Sequence, residues 1–129
     1  MLSDTPSQPP IQIDVETLYI DEQSDPDNHR YVFSYHVTIT NGLLEPVQLL
    51  SRYWRITDGD GGLQEVQGEG VVGAKPRIAP GASYSYSSGT VIATEVGSME
   101  GHYDMRTDAG GHFKAPIPPF TLAIPHALH

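Results

Sequence analysis

Tyr31-Val32-Phe33-Ser34-Tyr35-His36-Val37-Thr38-Ile39-Thr40 is the stretch whose reading decides the fold. Aromatic and branched apolar residues at 31, 33, 35, 37 and 39 alternate with Val32, Ser34, His36, Thr38 and Thr40. That is the two-residue period of a strand with one face on a core. Upstream, Ile11, Ile13 and Val15 alternate with Gln12, Asp14 and Glu16, so a first strand runs from 11 to about 20. Downstream, Asn41-Gly42 offers a positive φ at low steric cost, and Pro46 supports a turn before a third strand over 47–57 that carries Trp54.

The rest of the chain keeps this rhythm. A turn at 58–62 leads into short extended pieces at 63–66, 71–72 and 76–78, closed by Ala79-Pro80-Gly81. Tyr84 and Tyr86 alternate with serines over 82–88, and Tyr103 and Met105 alternate with His102, Asp104 and Arg106 over 101–107. A hairpin loop at 107–111 leads to strands at 112–117 and 120–124. There is no helical period and no internal repeat. The pattern predicts an all-β sandwich of immunoglobulin or fibronectin III type, with seven to nine short antiparallel strands.

A length of 129 residues gives room for one core, and 13 glycines with 11 prolines favour short strands over long helices. Residues 1–10 contain three prolines and no periodicity and read as a disordered lead-in; 11–125 form the domain, and 126–129 a tail bearing His126 and His129. The lack of cysteine removes disulfides, thiolate metal sites and a cysteine nucleophile, and it suits a reducing compartment, so the cytoplasm is the expected location. No apolar run is long enough to cross a membrane, and the N-terminus lacks signal-peptide features.

The net charge of −9 is uneven, since residues 1–45 hold eight of the sixteen acids and one of the seven cations, Arg30. Such a surface repels phosphate backbones, so nucleic acid is not an expected partner. A basic protein surface or a metal ion suits it better.

Gly68-Glu69-Gly70-Val71-Val72-Gly73 fits the pattern G-x-G-x-x-G, which cradles a pyrophosphate when a helix follows. Here Pro76, Pro80 and the branched pair Val71-Val72 leave no room for that helix. Turn-forming glycines are the simpler reading, and anion binding by the loop amides with Lys75 and Arg77 is the sharper one. His102 and Asp104 share a strand face and His112 lies on the next strand, a weak metal candidate without paired-ligand spacing. Asp58 and Asp60 lack the further ligands of a calcium loop. Asp21, Glu22, Asp25 and Asp27 form an acidic loop suited to a basic partner or to weak cation attraction. No G-x-S-x-G elbow is present, so catalysis is not expected and no cofactor is implied. Trp54 reads as core. Strict alternation through Leu50, Trp54 and Ile56 places Arg52 on the buried face as well, where a bulge or a buried carboxylate must resolve it.

The run Leu49-Leu50-Ser51-Arg52-Tyr53-Trp54-Arg55-Ile56-Thr57-Asp58, followed by Val66-Gln67-Gly68-Glu69-Gly70-Val71-Val72-Gly73, resembles the bacterial ApaG proteins. Glu22-Gln23-Ser24-Asp25-Pro26, Ala79-Pro80-Gly81, Ser88-Gly89-Thr90, 99–105 and Ile117-Pro118-Pro119-Phe120 agree in order, so the resemblance spans 11–125. It implies a fibronectin III-like sandwich and a link to cobalt and magnesium tolerance or efflux. Similar domains in eukaryotic F-box proteins and a polymerase-delta-interacting protein are regarded as protein-binding modules. The expected function is therefore a non-catalytic module for a protein partner. The alternatives are a divalent-cation sensor or buffer, or a nucleotide or pyrophosphate binder at 68–73. A homodimer through a sheet edge is left open.

Overall fold

The structure, a computed structural model, describes residues 10–126. The expected lead-in and tail, apart from Pro10 and His126, lie outside the described residues. Eight strands make up nearly the whole fold: β1 (Ile11–Tyr19), β2 (Tyr31–Asn41), β3 (Val47–Asp58), β4 (Leu63–Glu69), β5 (Arg77–Ile78), β6 (Ser83–Ile92), β7 (Val96–Thr107) and β8 (His112–Ala123). They pair antiparallel into a three-stranded sheet, β1-β2-β6, and a five-stranded sheet, β4-β3-β7-β8 with β5 on β3. The two sheets stack as an immunoglobulin- or fibronectin III-like sandwich.

The inward residues of β2 follow the alternation read from the sequence: Phe33, Tyr35, Val37 and Ile39 are all buried. Opposite them, Trp54 on β3 lies at the centre, its ring edge-on to Tyr35 at 5.3 Å, Phe120 at 5.8 Å and Tyr103 at 6.3 Å. Aromatic rings in this geometry add attraction to the area they bury. The Tyr86 and Tyr103 hydroxyls meet at 2.5 Å and join the two sheets through the core. Burial pushes both phenols far above their ordinary range, so this contact remains neutral.

β7 begins at Val96, five residues before the expected Gly101. Two of its inward positions are Gly97 and Gly101, which carry no side chain to mark the period. Gly101 stands opposite Trp54. A Cβ there would overlap the Tyr53 carbonyl, so β3 and β7 can approach only because this residue is glycine. The pieces expected at 112–117 and 120–124 form one strand, whose register shifts where Met99 and Gly101 face Phe120 and Ile117. The extra length falls at Pro118-Pro119, tolerable because β8 is an edge strand and needs no inward-donating N–H there. Residues 71–72 are not extended: Val71 and Ala74 bridge a tight turn.

Asn41 and Gly42 do not take the positive φ expected of them. Asn41 ends β2 fully buried, donating from Nδ2 to the carbonyls of Glu45 at 2.9 Å and Ile78 at 3.0 Å and accepting from the Leu43 N–H at 2.9 Å. It ties the β2–β3 connection to β5. No helix among the described residues is long and apolar enough to cross a membrane.

Gly101→Ala should cost about 3 kcal/mol or more through overpacking against β3. Asn41→Leu should cost about 3 kcal/mol by leaving two buried carbonyls and an amide unpaired. Urea denaturation of each variant checks both values, and a loss below about 1 kcal/mol at either position would contradict the packing described.

Candidate functional site

The sandwich places the two principal candidate loops at opposite ends. Tyr31 pairs with Ile92, beside Gly97, which pairs with Asp58; this end carries the acidic loop between β1 and β2. Asn41, Ile78 and Ala82 meet at the other end, near the glycine loop.

The acidic loop is two short 3-10 turns, Asp21–Gln23 and Pro26–Asn28. Ser24 fastens it, donating to the Ile20 carbonyl and accepting the Val32 N–H. Asp25 and Arg30 exchange backbone bonds, and the Asp25 carboxylate accepts from Asn28 Nδ2 at 2.6 Å. Asp21, Glu22 and Asp27 stand exposed, so the loop is a fixed, negatively charged surface.

In the glycine loop, Val72 and Gly73 both have positive φ, 47° and 80°, and form the centre of a two-residue turn of the primed type. Gly70 also has positive φ, and a Cβ on it would strike the Ala74 carbonyl. Its N–H donates to the Leu50 carbonyl, while Val71 and Ala74 exchange N–H to carbonyl bonds. Three of the amides near the motif are thus already bonded. Lys75 pairs with Glu69 at 2.6 Å and Arg77 with Asp108. The Arg77 hydrogen bonds hold the Asp108 carboxyl below its ordinary range. No helix follows the motif among the described residues.

His102 and Asp104 lie on the outer face of the five-stranded sheet, with Nε2 and Oδ2 3.9 Å apart. His102 stacks on Tyr53, whose hydroxyl donates to Glu65, and Asp104 accepts from Ser51 Oγ at 2.8 Å. His112 pairs across with Arg106, one row beyond the Asp104–Lys114 pair. Among the described residues, no three His, Asp or Glu side chains are grouped to hold a metal ion.

A fourth feature follows from Arg52. The register of β3 shifts between Leu49 and Ser51, so Leu50 leaves the inward row while Arg52 remains in it with Trp54 and Ile56. Backbone carbonyls satisfy it in part, and among the described residues no carboxylate does: Nη1 donates to Glu69 O at 3.2 Å and Gly70 O at 3.0 Å. The guanidinium covers Gly68, where a Cβ would come within 2.8 Å of Nη1. It lines an open groove of about 420 Å³ between the edges of β4 and β6, with Tyr35, Trp54, Val66, Ser88 and Val91. The sequence signals this groove through the odd placing of Arg52; the run Ser88-Gly89-Thr90 forms part of its β6 wall, but nothing along the chain shows that the two lie together.

A family model described as the ApaG domain matches residues 21–107. The chain belongs to the ApaG family. It is 57% identical over 125 residues to Protein ApaG of Azotobacter vinelandii, covering 95% of this chain and 99% of that protein. Protein ApaG of Salmonella arizonae is 54% identical over 123 residues, with 95% and 98% covered. A crystal structure of a Bordetella pertussis protein superposes with a TM-score of 0.88 at 44% identity, covering 91% of this chain and 95% of that one. An X-ray structure of a structural-genomics target gives 0.89 at 48% identity, covering 93% and 91%. These likenesses cover the ApaG chain almost end to end, well beyond the 21–107 segment.

Val72→Gly should stabilise this ApaG domain by about 1 kcal/mol, because a branched residue at positive φ is strained; thermal denaturation checks the sign. Asp108 should titrate below the ordinary carboxylate value, and Arg77→Gln should raise it back toward that value. The associated stability is present above the unfolded carboxylate value and fades as pH falls through the lower folded one. An NMR pH titration of the Asp108 carboxyl in both proteins measures it.

Proposed function

We propose that this ApaG domain is a protein-interaction module without a catalytic centre of its own. The observation that carries the reading is the seam between β4 and β6, where two sheet edges and the apolar side chains Val66 and Val91 remain open to solvent around a groove. The acidic end is a second surface, suited to a basic partner.

One serine–histidine contact bears on catalysis. His36 Nδ1 and Ser87 Oγ lie 2.8 Å apart, with Glu16 opposite His36 on β1. The pair continues a ladder of Thr38–Ser85 and Thr40–Ser83 contacts on the exposed sheet face. No hydrogen bond joins Glu16 to the ring among the described residues, so the row lacks the orienting group that activates a nucleophile. It reads as a cross-strand ladder.

The link to cobalt and magnesium homeostasis is then an effect passed through a bound partner. The cytoplasm, which suits a cysteine-free chain, is where that partner is sought.

Affinity purification from native cells tests the module. Wild-type protein is compared with an Asp21→Asn, Glu22→Gln, Asp25→Asn variant and with a Val66→Ser, Val91→Ser variant. A partner enriched by the wild type and lost from one of the two is expected; equal recovery by all three, or none by any, counts against the reading. Calorimetric titration with Co²⁺ should give no heat that His102→Ala or His112→Ala removes, and heat abolished by either change would favour a cation sensor instead.

A further inference from the structure

The three-stranded sheet is one strand too narrow to cover the five-stranded one. Cross-strand pairing fixes the inward members of β4, with Gln64 opposite Ile56, Val66 opposite Trp54 and Gly68 opposite Arg52. Residues sharing a direct pair share a face. Ile56 and Trp54 are buried, yet Gln64 and Val66 beside them are exposed. The reason is architectural: the small sheet ends at β6, and among the described residues no strand pairs with the outer side of β6, although Gln64 Nε2 of β4 reaches across to the Val91 carbonyl at 3.3 Å.

The edges of the sandwich differ in how they are guarded. β1 carries Asp14 and Glu16, β4 carries Glu65 and Glu69, and β8 carries Lys114 with Pro116, Pro118 and Pro119. Charges and prolines are the usual means of blocking a strand from pairing with another chain. β6, Ser83–Ile92, has ten residues and neither a charge nor a proline. Apart from the Val91 carbonyl, which accepts from Gln64 Nε2 of β4 at 3.3 Å, it presents a row of backbone donors and acceptors that no strand takes up, beside an uncovered face.

Arg52 supplies the chemistry. It is the sole ionisable cation lining the groove; among the described residues it bonds through Nη1 to backbone carbonyls and forms no ion pair to a carboxylate. A half-buried guanidinium with free donors is matched by a carboxylate, which accepts two parallel N–H bonds. We infer that β6 accepts an extended segment of a partner protein as a fourth strand of the small sheet, and that this segment turns one Asp or Glu side chain inward to Arg52. Residues two positions to either side then fall toward Val66 and Trp54 and are apolar. Outward residues lie beside Ser83, Ser85 and Ser87, and the chain's charge of −9 favours neutral or basic ones there. A second copy of this chain is a poorer occupant, because β6 has no carboxylate to offer Arg52.

This rests on the interaction-module reading and names its surface. The test begins by selecting a phage-displayed library of random peptides on the full-length protein. A selected peptide is then synthesised and titrated, with the fluorescence of Trp54, the single tryptophan, and backbone amide shifts as readouts. Enriched peptides should carry one acid flanked at two-residue spacing by Val, Ile, Leu or aromatic residues. Shifts should map to β6 and to the inward residues of β4, and alternate β6 amides should gain hydrogen-exchange protection.

Changing the peptide's Glu to Gln should weaken binding by roughly tenfold or more. Arg52→Gln should do the same, and the two changes together should cost little beyond either one. The peptide change needs no alteration of the protein, so it tests the pairing even where Arg52→Gln disturbs folding. Selected peptides without an acid, binding indifferent to Glu→Gln, shifts confined to other surfaces, or a concentration-dependent dimer that protects β6 would each overturn the inference. A cellular partner lost only from the acidic-loop variant would leave the module reading standing and remove this surface alone.

Discussion

The sandwich depends on the meeting of Trp54 with a residue that has no side chain. Trp54 and Gly101 face each other across β3 and β7, and the absent Cβ lets the Tyr53 carbonyl come close. With the backbones drawn together, the indole projects into the other sheet, where Tyr35 meets its ring, while Tyr103 and Phe120 close around it. The Tyr86–Tyr103 hydroxyl contact is available only because those rings share the same layer. The missing Cβ at Gly101 therefore has consequences in the other sheet, as expected of an interior packed to crystal-like density.

The core was legible wherever side chains mark the period. Phe33, Tyr35, Val37 and Ile39 alternate in the sequence and are buried in that order, and Trp54 is central as its strand position suggested. The period fails where the inward residue is glycine, which is why residues 96–100 did not read as strand although Met99 is buried. It fails again at Pro118-Pro119, where the sequence rule for proline assumes a central strand and β8 is an edge. Asn41 was misjudged for a related reason. Asn-Gly is a turn signal because both residues tolerate positive φ, but here the Asn side chain serves as a buried three-way connector, a role that no local pattern encodes.

Charge was legible in quantity but not in pairing. The concentration of acids in the first third of the chain is evident from the sequence, and the loop between β1 and β2 displays four of them, Asp21, Glu22, Asp25 and Asp27. Lys75 and Arg77, in contrast, read as free cations beside a glycine loop, whereas each sits against an acid, one of them Asp108 from the β7–β8 loop. Such long-range pairs follow from strand order and cannot be derived from spacing along the chain. Arg52 is the converse case. Alternation alone places it inward, and the bulge between Leu49 and Ser51 moves Leu50 aside and leaves Arg52 in the inward row.

The unguarded edge of β6 raises a question of solubility, because an unblocked strand invites pairing with other copies. Its outward residues are Ser83, Ser85, Ser87, Gly89 and Val91, and the three serines are engaged with β2 through the His36–Ser87, Thr38–Ser85 and Thr40–Ser83 contacts. Val91 alone among them offers another copy apolar area. Self-pairing would also bring together two chains of charge −9, although at physiological salt the Debye length is about 8 Å and most of that repulsion is screened. The short-range terms therefore decide. A self-paired β6 gains backbone bonds but covers Arg52 with no counter-charge, and covering an unpaired guanidinium is costly. An edge bordered by a half-buried cation is thus selective without proline or charge on the strand itself: it disfavours neutral strands, its own included, and favours those that bring a carboxylate.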